Sequence, residues 1–367
     1  MPVRLLVRSS FVILLIFASW SCTETRRPQR LSESDRRKLA ARIQSVVAEA
    51  GGAQVWIKRP ARISHVPPKA VQVVATPAAY KLVLARVQGE AHHDHLELSA
   101  SSSNAAGGLH STHVRVQQGG QEIIHLHLRE VPRLLHAAIV MDDLGRDLEA
   151  VHKLLALDYP LTFSVLPYLN HSAATAEEAH RRGREVMLHL PMEPEPSAHV
   201  SPGKGAVLVG MDGTVVKRVV DDDLAAVPYA VGVNNHMGSR ATRDAALMAR
   251  LMKILAAHRL YFIDSRTTAA TAALDAARRQ GVPSFYRAVF LDDTETTSYT
   301  LGQLAKFRHT VEENGVALAI GHPHPTTIAA LAQFLPELER ADIELVPPSE
   351  IVGLPELARL HPPGTTH

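Results

Sequence analysis

Cysteine is almost absent from this sequence: Cys22 is the only one in 367 residues. The rest of the chain therefore forms no disulfide, holds no thiolate metal ligand and has no redox requirement. Net charge is also small, at +2, which gives no reason to expect nucleic acid as a partner. The sequence contains no Gly-rich phosphate-binding loop. What it does have is 46% hydrophobic residues and 21 histidines, enough for a sizeable core and a reason to look for metal ligands.

Long apolar runs are missing as well. Arg4 and Arg8 precede an apolar segment, residues 11–20, which is shorter than the roughly 20 residues that a membrane-spanning helix needs. This pattern predicts a signal peptide over residues 1–22 and a periplasmic or cell-envelope location. Cys22 at its end is a candidate for lipidation, which would tether the protein to a membrane. Simple cleavage and a retained membrane anchor are the alternatives.

Residues 23–132 predict a small α+β domain of unknown role. Apolar residues at helical spacing indicate a helix over Leu31–Ala50, which Gly51 and Gly52 end. Short strands are predicted after it, at Val55–Ile57, Val71–Val74, Lys81–Val87 and Ile123–Leu128. In the last strand His125 and His127 alternate with apolar residues and share one face. A solvated face is the preferred interpretation of that pair, and metal binding is the alternative.

Residues 133–360 show a different texture, in which apolar strands alternate with helices. Helices are predicted at Ala173–Arg182, Arg243–His258, Leu301–Asn314 and Thr326–Arg340. Strands are predicted at Ala137–Met141, Leu161–Leu166, Glu185–Leu190, Ala230–Val233, Leu260–Ile263, Phe285–Leu291, Val316–Ile320 and Ile343–Val346. About eight such units with wholly apolar strands predict an α/β fold, either a (β/α) barrel or an open parallel sheet. Active sites of both lie at the carboxyl ends of the strands.

Polar side chains stand at nearly every one of those strand ends. They are Asp142 and Asp143, His189 and Glu193, Asn234, Asn235 and His236, Asp264, Ser265 and Arg266, Asp292 and Asp293, and His322 and His324. Each alone could cap a helix or be a hydrogen-bonded core residue. Six strand ends of this kind favour one shared site at the mouth of a barrel.

Converging carboxylates and imidazoles are the ligands of a divalent metal, with zinc the first candidate. A catalytic site of this type leaves one coordination position for water, whose pKa the metal lowers towards about 7. A neighbouring carboxylate can then accept the water proton, and a histidine can protonate the leaving group. The composition of these strand ends therefore indicates hydrolysis of an amide or an ester.

From about residue 137 to residue 352 the sequence resembles the divergent polysaccharide deacetylases, relatives of the NodB-type carbohydrate esterases. The resemblance rests on several segments in the family order. They are "AIVMDDLG" at 138–145, "LTFSVLP" at 161–167, "GREVMLHLPMEPEP" at 183–196, "VGVNNHMGSRAT" at 231–242, "FIDSRTT" at 262–268, "VFLDD" at 289–293, "AIGHPHPTT" at 319–327 and "ELVPPSEIV" at 344–352. The resemblance implies an irregular NodB-like (β/α) barrel, preceded here by the small α+β domain.

The resemblance also implies roles for individual residues. Asp142 matches the catalytic base and Asp143 the first metal ligand of the relatives. His189 matches their first histidine ligand, but Glu193 stands where they have the second. The expected ligands are Asp143, His189 and His236, with Glu193 as the alternative. His322 matches the general acid, and Asp264 is expected to orient it or to bind substrate. The other polar residues are expected to bind substrate: Asn234, Asn235, Arg240, Ser265, Arg266, Asp292 and His324.

Three functional hypotheses follow. The first is a metal-dependent hydrolase that removes N-acetyl groups from a polysaccharide or peptidoglycan of the envelope. The second is a non-catalytic glycan-binding module, because "NNHMGSR" replaces the relatives' arginine-proline motif and Glu193 replaces a histidine. The third is a structural envelope protein whose polar strand ends only cap helices. Protein partners are not indicated by the sequence.

Overall fold

This computed structural model describes residues 31–58, 70–104, 108–196 and 199–353. The predicted signal segment with Cys22, the segment up to residue 30 and residues 354–360 of the predicted second domain lie outside the described residues. The chain divides into two compact units between Leu134 and Leu135, close to the boundary at 132/133 that the sequence predicts. Over the described ranges, no helix is both long enough and apolar enough to cross a bilayer.

Over its described residues, the N-terminal unit is an α+β sandwich of two α-helices and one five-stranded sheet. Its elements are α1 (Glu33–Gly51), β1 (Val55–Ile57), β2 (Val71–Ala75), α2 (Pro77–His93), β3 (Glu97–Asn104), β4 (His110–Gln118) and β5 (Gln121–Glu130). The strand order is β1-β2-β5-β4-β3, and only β2 and β5 are parallel. Alternate residues of β4 and β5 are buried in one core with α1 and α2, and their other face carries polar side chains.

The predicted strand at Lys81–Val87 is wrong, because these residues lie inside α2. The apolar residues of this segment are spaced for a helix. The buried side chains of α2 recur at every third or fourth position and pack on the sheet: Ala79 or Tyr80, Val83, Val87 and Ala91. Pro77 at the first helical position also favours a helix start. A short apolar segment with two valines is compatible with a strand, but the helical spacing of its apolar residues decides the structure.

The C-terminal unit alternates strands and helices. Its strands are β6 (Leu135–Leu144), β7 (Thr162–Val165), β8 (Val186–Met192), β9 (Ala230–Met237), β10 (Tyr261–Asp264), β11 (Ser284–Tyr286), β12 (Val289–Phe290), β13 (Val316–Gly321) and β14 (Ile343–Leu345). Its helices are α3 (Leu148–Leu157), α4 (Ser172–Arg181), α5 (Gly213–Ala226), α6 (Ala245–Ala257), α7 (Ala273–Arg279), α8 (Thr297–Asn314), α9 (Pro325–Arg340) and α10 (Pro348–Ile351). All pairs are parallel, in the order β11-β10-β9-β8-β7-β6-β13-β12, with β14 beside β6.

The two edges of this sheet come together at one short segment. Arg287 donates its backbone N–H to the carbonyl oxygen of Asp264 in β10 (2.9 Å), and the next residue, Ala288, donates to Leu318 in β13 (2.8 Å). The sheet is therefore curled into an irregular barrel, which confirms the predicted fold class. The single strand predicted at Phe285–Leu291 is corrected to β11 and β12, because the chain changes its partner strand at residues 287 and 288.

Two apolar layers fix which way each strand faces. One layer lies between the sheet and its helices and includes Ile139 and Met141 of β6. The other lies inside the barrel and includes Ala138 and Val140 of the same strand. Neighbouring residues of a strand point to opposite faces. The residues of the interior layer therefore show which alternate positions of each strand face the inside of the barrel, and we call this set the interior parity.

Candidate metal centre and active site

Asp142 continues the interior parity of β6, two residues beyond Val140, and is almost fully buried. The same spacing places five further polar side chains on the interior face, near the carboxyl ends of β7, β8, β9 and β13: Ser164, His189, Asn234, His236 and His322. The strand ends therefore converge as the sequence predicts. A cavity of about 840 Å³ at the barrel mouth is lined by four of these side chains: Asp142, His189, His236 and His322.

Three donor atoms face one another at the base of this cavity. Asp143 Oδ1 lies 3.1 Å from His189 Nε2 and 3.0 Å from His236 Nδ1. The two ring nitrogens lie 3.1 Å apart. Asp143, His189 and His236 are the ligand set that the sequence predicts, and these atoms form a group that could hold a metal ion.

Asp143 reaches this group because β6 is irregular at its end. The pairing of β6 with β7 shifts register between Met141 and Leu144, and Asp143 has a left-handed φ of 57°. The bulge turns Asp143 towards the site that Asp142 also faces. Burial alone would raise the pKa of Asp143, but the two neighbouring imidazoles lower it well below its usual range. The carboxylate is therefore ionised, as a metal ligand must be.

Asn234 fixes the orientation of His189. Its Oδ1 accepts hydrogen bonds from Ser164 Oγ (2.7 Å) and from His189 Nδ1 (2.8 Å), and its Nδ2 donates to Asp142 Oδ1 (2.8 Å). An amide oxygen can only accept, so the proton of neutral His189 is on Nδ1 and the lone pair of Nε2 points at the ligand group. This is the outer-shell arrangement that orients a metal-binding histidine.

The donor set fits a divalent cation. Asp143 Oδ1 is buried and has no hydrogen-bond partner among the described residues, although two imidazole nitrogens lie near it. A cation between the three atoms would satisfy that oxygen. Two nitrogens and one carboxylate oxygen are ligands that zinc accepts, and three protein ligands are typical of a catalytic site with room for water.

His322 lies beside this group, with Nε2 at 3.9 Å from Asp143 Oδ2. Its Nδ1 donates to Asp292 Oδ1 (2.9 Å), while Asp292 Oδ2 accepts from the backbone N–H of His322 and from Thr327 Oγ1. Burial alone would lower the pKa of His322, but the hydrogen bond to Asp292 and the charge of Asp142 raise it to about 9. His322 is therefore a proton donor at neutral pH.

Several predicted roles change on this geometry. Asn234 was assigned to substrate, but it orients His189 and does not line the cavity. The residue that orients His322 is Asp292, which was assigned to substrate. Asp264, which was assigned to His322 or to substrate, has the opposite strand parity; its carboxylate accepts from the backbone N–H of Arg266 and from Thr271 Oγ1. Asp264 therefore shapes the loop after β10 and does not line the cavity.

Glu193 lies outside the ligand group. Its Oε1 is ion-paired with Arg240 Nη1 (2.5 Å) and its Oε2 accepts from the backbone N–H of Val209 (2.6 Å). Glu193, the alternative ligand, therefore does not belong to the ligand group, whose third member is His236. The pair also holds Arg240, which does not line the cavity as a substrate contact.

The other predicted substrate residues divide in two. Asn235, Ser265 and Arg266 line the cavity, although Asn235 Oδ1 also accepts from the backbone N–H of Ser265 (2.9 Å). His324 precedes α9, and its Nδ1 lies 3.6 Å from Glu295 Oε2. His324, His322 and Asp292 form a second group of metal-type donors. The oxygens of Asp292 already accept three hydrogen bonds, so this group is a weaker ligand set.

Several functional side chains were missed in the sequence. Ser164 is the residue that anchors Asn234, and its signal was the alternation Thr162, Ser164 in an otherwise apolar strand. Arg287, Tyr299 and Lys306 line the cavity from β11 and α8. They carry no local motif, because they are brought to the site by barrel closure.

This parallel barrel carries a group of metal-type ligands at its mouth, which places the chain in the class of hydrolase-like (β/α) proteins. The sequence profile of the divergent polysaccharide deacetylases matches residues 139–352. The match covers more than half of the chain, and the chain belongs to this family.

The chain is also similar to individual proteins. The chain is 36% identical over 226 residues to the uncharacterised protein YibQ of Escherichia coli strain K12, covering 62% of this chain and 70% of that protein. It is 37% identical over 209 residues to an uncharacterised protein of Haemophilus influenzae, covering 57% and 74%. The crystal structure of an uncharacterised protein from Agrobacterium tumefaciens C58 has a TM-score of 0.57 at 24% identity, covering 60% of this chain and 89% of that one, which shows the shared fold.

Proposed function

We propose that this protein is a metal-dependent hydrolase that removes N-acetyl groups from a polysaccharide or peptidoglycan of the cell envelope. The family membership supports a deacetylase-like chemistry. The observation that carries the proposal is that two halves of one site lie side by side at the same cavity. One half is the ligand group with Asp142 beside it, and the other is His322 with its buried partner Asp292.

Asp143, His189 and His236 would hold the cation, most simply zinc. When bound, a divalent cation acidifies a water molecule and polarises the substrate carbonyl. Asp142 Oδ2 lies 3.6 Å from His189 Nε2, beside the ligand group, and its other oxygen is held by Asn234. Asp142 is therefore placed to accept the proton of the attacking water.

His322, next to the ligand group, completes the reaction. As the C–N bond of the N-acetyl group breaks, the electron pair stays on nitrogen, and His322 Nε2 delivers the proton that this nitrogen needs. The products are acetate and a free amine. Asp292 keeps His322 charged and oriented between turnovers.

The location is part of the proposal. Residues 1–22 have the pattern of an export signal, and Cys22 offers a site for a lipid tether. An envelope glycan would be in reach of the barrel from there. A non-catalytic glycan-binding module is the second candidate, and it is favoured by the Glu193–Arg240 pair, which occupies the segment where the catalytic relatives differ.

Acetate release separates the two candidates. Metal-loaded protein is incubated with N-acetylated glucosamine oligosaccharides and with purified peptidoglycan, and acetate is measured enzymatically. Wild type should release acetate, and Asp142→Asn should lose about 10²–10⁴-fold in rate while it retains bound metal, since an amide cannot serve as a base. Asp275→Asn, in an exposed pair on α7, is the matched control and should behave as wild type. Absence of acetate from every substrate with wild type would reject the hydrolase and favour the binding module.

A further inference from the structure

The wall of the cavity that faces the ligand group is positively charged. Arg266 and Arg287 follow the neighbouring strands β10 and β11, and Lys306 projects from α8. In the strand order β10 and β11 lie beyond β9, the strand of His236, whereas α8 packs on β12, β13 and β6. We call Arg266, Arg287 and Lys306 together the cationic wall of the cavity.

The two guanidinium groups are held in defined orientations. Arg287 donates from Nε to the carbonyl oxygen of Ser265 (2.6 Å) and from Nη2 to that of Arg266 (2.9 Å), and its Cζ lies 5.1 Å from the centre of the Phe290 ring. Arg266 Cζ lies 5.2 Å from the centre of the Tyr286 ring. Planar groups fixed on aromatic rings lose little freedom when they bind a ligand.

No carboxylate of the described residues is ion-paired with Arg266 or Arg287, whose partners are carbonyl oxygens and rings. Burial and the neighbouring charge of Arg266 lower the pKa of Arg287. Asp293 also lines the cavity, but it is exposed at the rim. The charges of Asp264 and Asp142 act on Arg287 without forming an ion pair with it. The two adjacent guanidinium groups repel each other, and a bound anion would reduce that cost.

We propose that the cationic wall selects a glycan carrying an acidic group, a carboxylate or a phosphate, which binds Arg266 and Arg287 while the N-acetyl group lies at the ligand group. This inference rests on the proposed function and narrows its substrate class. Arginine forks match the oxygens of both anions. Lys306 adds a third positive charge that attracts the same ligand.

One face of α8 supplies uncharged side chains, beside Lys306, that could contact a sugar chain. Its cavity-lining residues recur at intervals of three or four positions: Tyr299, Gln303, Lys306 and Thr310. The opposite face of α8, with Leu304 and Phe307, is buried in the core. An aromatic ring and polar side chains on one rigid helix are suited to successive sugar units.

Equilibrium binding tests the inference without requiring turnover. The primary probe is a tetrasaccharide of alternating N-acetylglucosamine and N-acetylmuramic acid, compared with its methyl ester, which has the same shape but no negative charge. A phosphorylated N-acetylglucosamine tetrasaccharide is the second acidic probe. Affinities are measured by calorimetry on full-length metal-loaded protein at low and moderate salt.

Wild type should bind at least one acidic probe about tenfold more tightly than its neutral counterpart, and added salt should reduce the difference. Arg266→Gln should remove that preference, and Arg266→Lys should restore part of it. Arg279→Gln, an exposed arginine on α7, should retain it. The preferred acidic probe identifies the anion.

Equal affinity for the acid and its neutral counterpart would overturn the inference, and so would a lack of measurable affinity for either acidic probe. Acetate release from neutral oligosaccharides without any preference for acidic ones would also overturn it, while the proposed hydrolase function would stand. Acid-selective binding without acetate release would support the inference and reject the hydrolase. The two proposals therefore fail separately.

Discussion

The barrel mouth and one face of the N-terminal sheet both bring imidazoles together on neighbouring strands. In the barrel, His236 Nδ1 lies 3.1 Å from His189 Nε2. On the sheet, His113 Nδ1 lies 3.0 Å from His125 Nε2. The spacing of the ring nitrogens is nearly the same, so spacing alone does not separate a candidate metal centre from a polar surface.

The surroundings make the difference. In the barrel a buried carboxylate oxygen faces both nitrogens, whereas on the described part of the sheet no third His, Asp, Glu or Cys donor lies within 4.8 Å of both. The nearby ring of His127 has Ser111 Oγ at 2.8 Å on one nitrogen and Gln72 Oε1 at 2.8 Å on the other. Both nitrogens of His127 therefore have partners that are not metal-type ligands, whereas Nε2 of His189 faces the other members of the ligand group. A metal site needs burial, a carboxylate and a lone pair left free.

The largest expected difference between the two regions is in metal affinity. His189→Ala removes one of three ligands in the barrel and should weaken zinc binding by more than about 100-fold. His113→Ala removes an exposed imidazole from the sheet and should leave zinc content unchanged. Competition with a chelator, followed by metal analysis, measures both. Equal losses in the two variants would mean that the sheet face binds metal as well as the barrel does.

A smaller loss is expected when only the support of a ligand is removed. Asn234→Ala deprives His189 of the acceptor that fixes its tautomer and should weaken metal binding about 10–100-fold. Gln72→Ala removes the corresponding acceptor of His127 on the sheet and is the matched control. The same chelator competition applies. Unchanged metal affinity in Asn234→Ala would show that His189 is oriented by packing alone.

His322 offers a prediction about pH. Burial alone would lower the pKa of His322, but the hydrogen bond to Asp292 and the charge of Asp142 raise it to about 9. The protonated form is the proton donor, so activity should fall as pH rises through the pKa of His322. Asp292→Asn removes a negative charge, lowers that pKa and should move the alkaline limb of the rate profile down by about one to two units.

Asp293→Asn is the control for that shift, because Asp293 is adjacent in sequence but exposed. It should leave the alkaline limb in place. The pKa of His322 is measured directly by NMR titration of both variants, which separates a titration effect from a change in the rate-limiting step. An alkaline limb that stays unchanged in Asp292→Asn would show that another group limits the rate at high pH.

Strand alternation alone predicts polar strand ends that meet at one edge or mouth of the sheet, and the resemblance to the deacetylases implies the barrel and the three candidate ligands. Asp143, His189 and His236 follow apolar strands, and parallel strands deliver their carboxyl ends to one mouth. Alternation was insufficient for choosing between neighbours. Asp264 ends β10 and Ser265 follows it, but only Ser265 lines the cavity. A bulge lets two consecutive aspartates of β6 reach one site. Local irregularities of this kind depend on tertiary pairing.

The same limit explains the other corrections. Glu193 has the spacing of a ligand relative to His189, but Arg240 and the N–H of Val209 draw its carboxylate away, and both lie far along the chain. The cationic wall was invisible for a similar reason. Arg287 stands where the barrel closes: its own N–H pairs with β10 and that of the next residue with β13, and no short-range pattern marks such a position.

The smallest expected effect belongs to the sheet histidines themselves. His113 is exposed and stacks on His127 at 4.2 Å between ring centres, so His113→Gln removes little buried area. The free energy of unfolding should change by less than about 0.5 kcal/mol, the usual range for a surface substitution. Chemical denaturation monitored by circular dichroism measures it, with zinc present and absent. Because a ligand that binds only the folded state stabilises it, a zinc-dependent stability that His113→Gln abolishes would make the sheet face a second metal site and remove the distinction between the two regions.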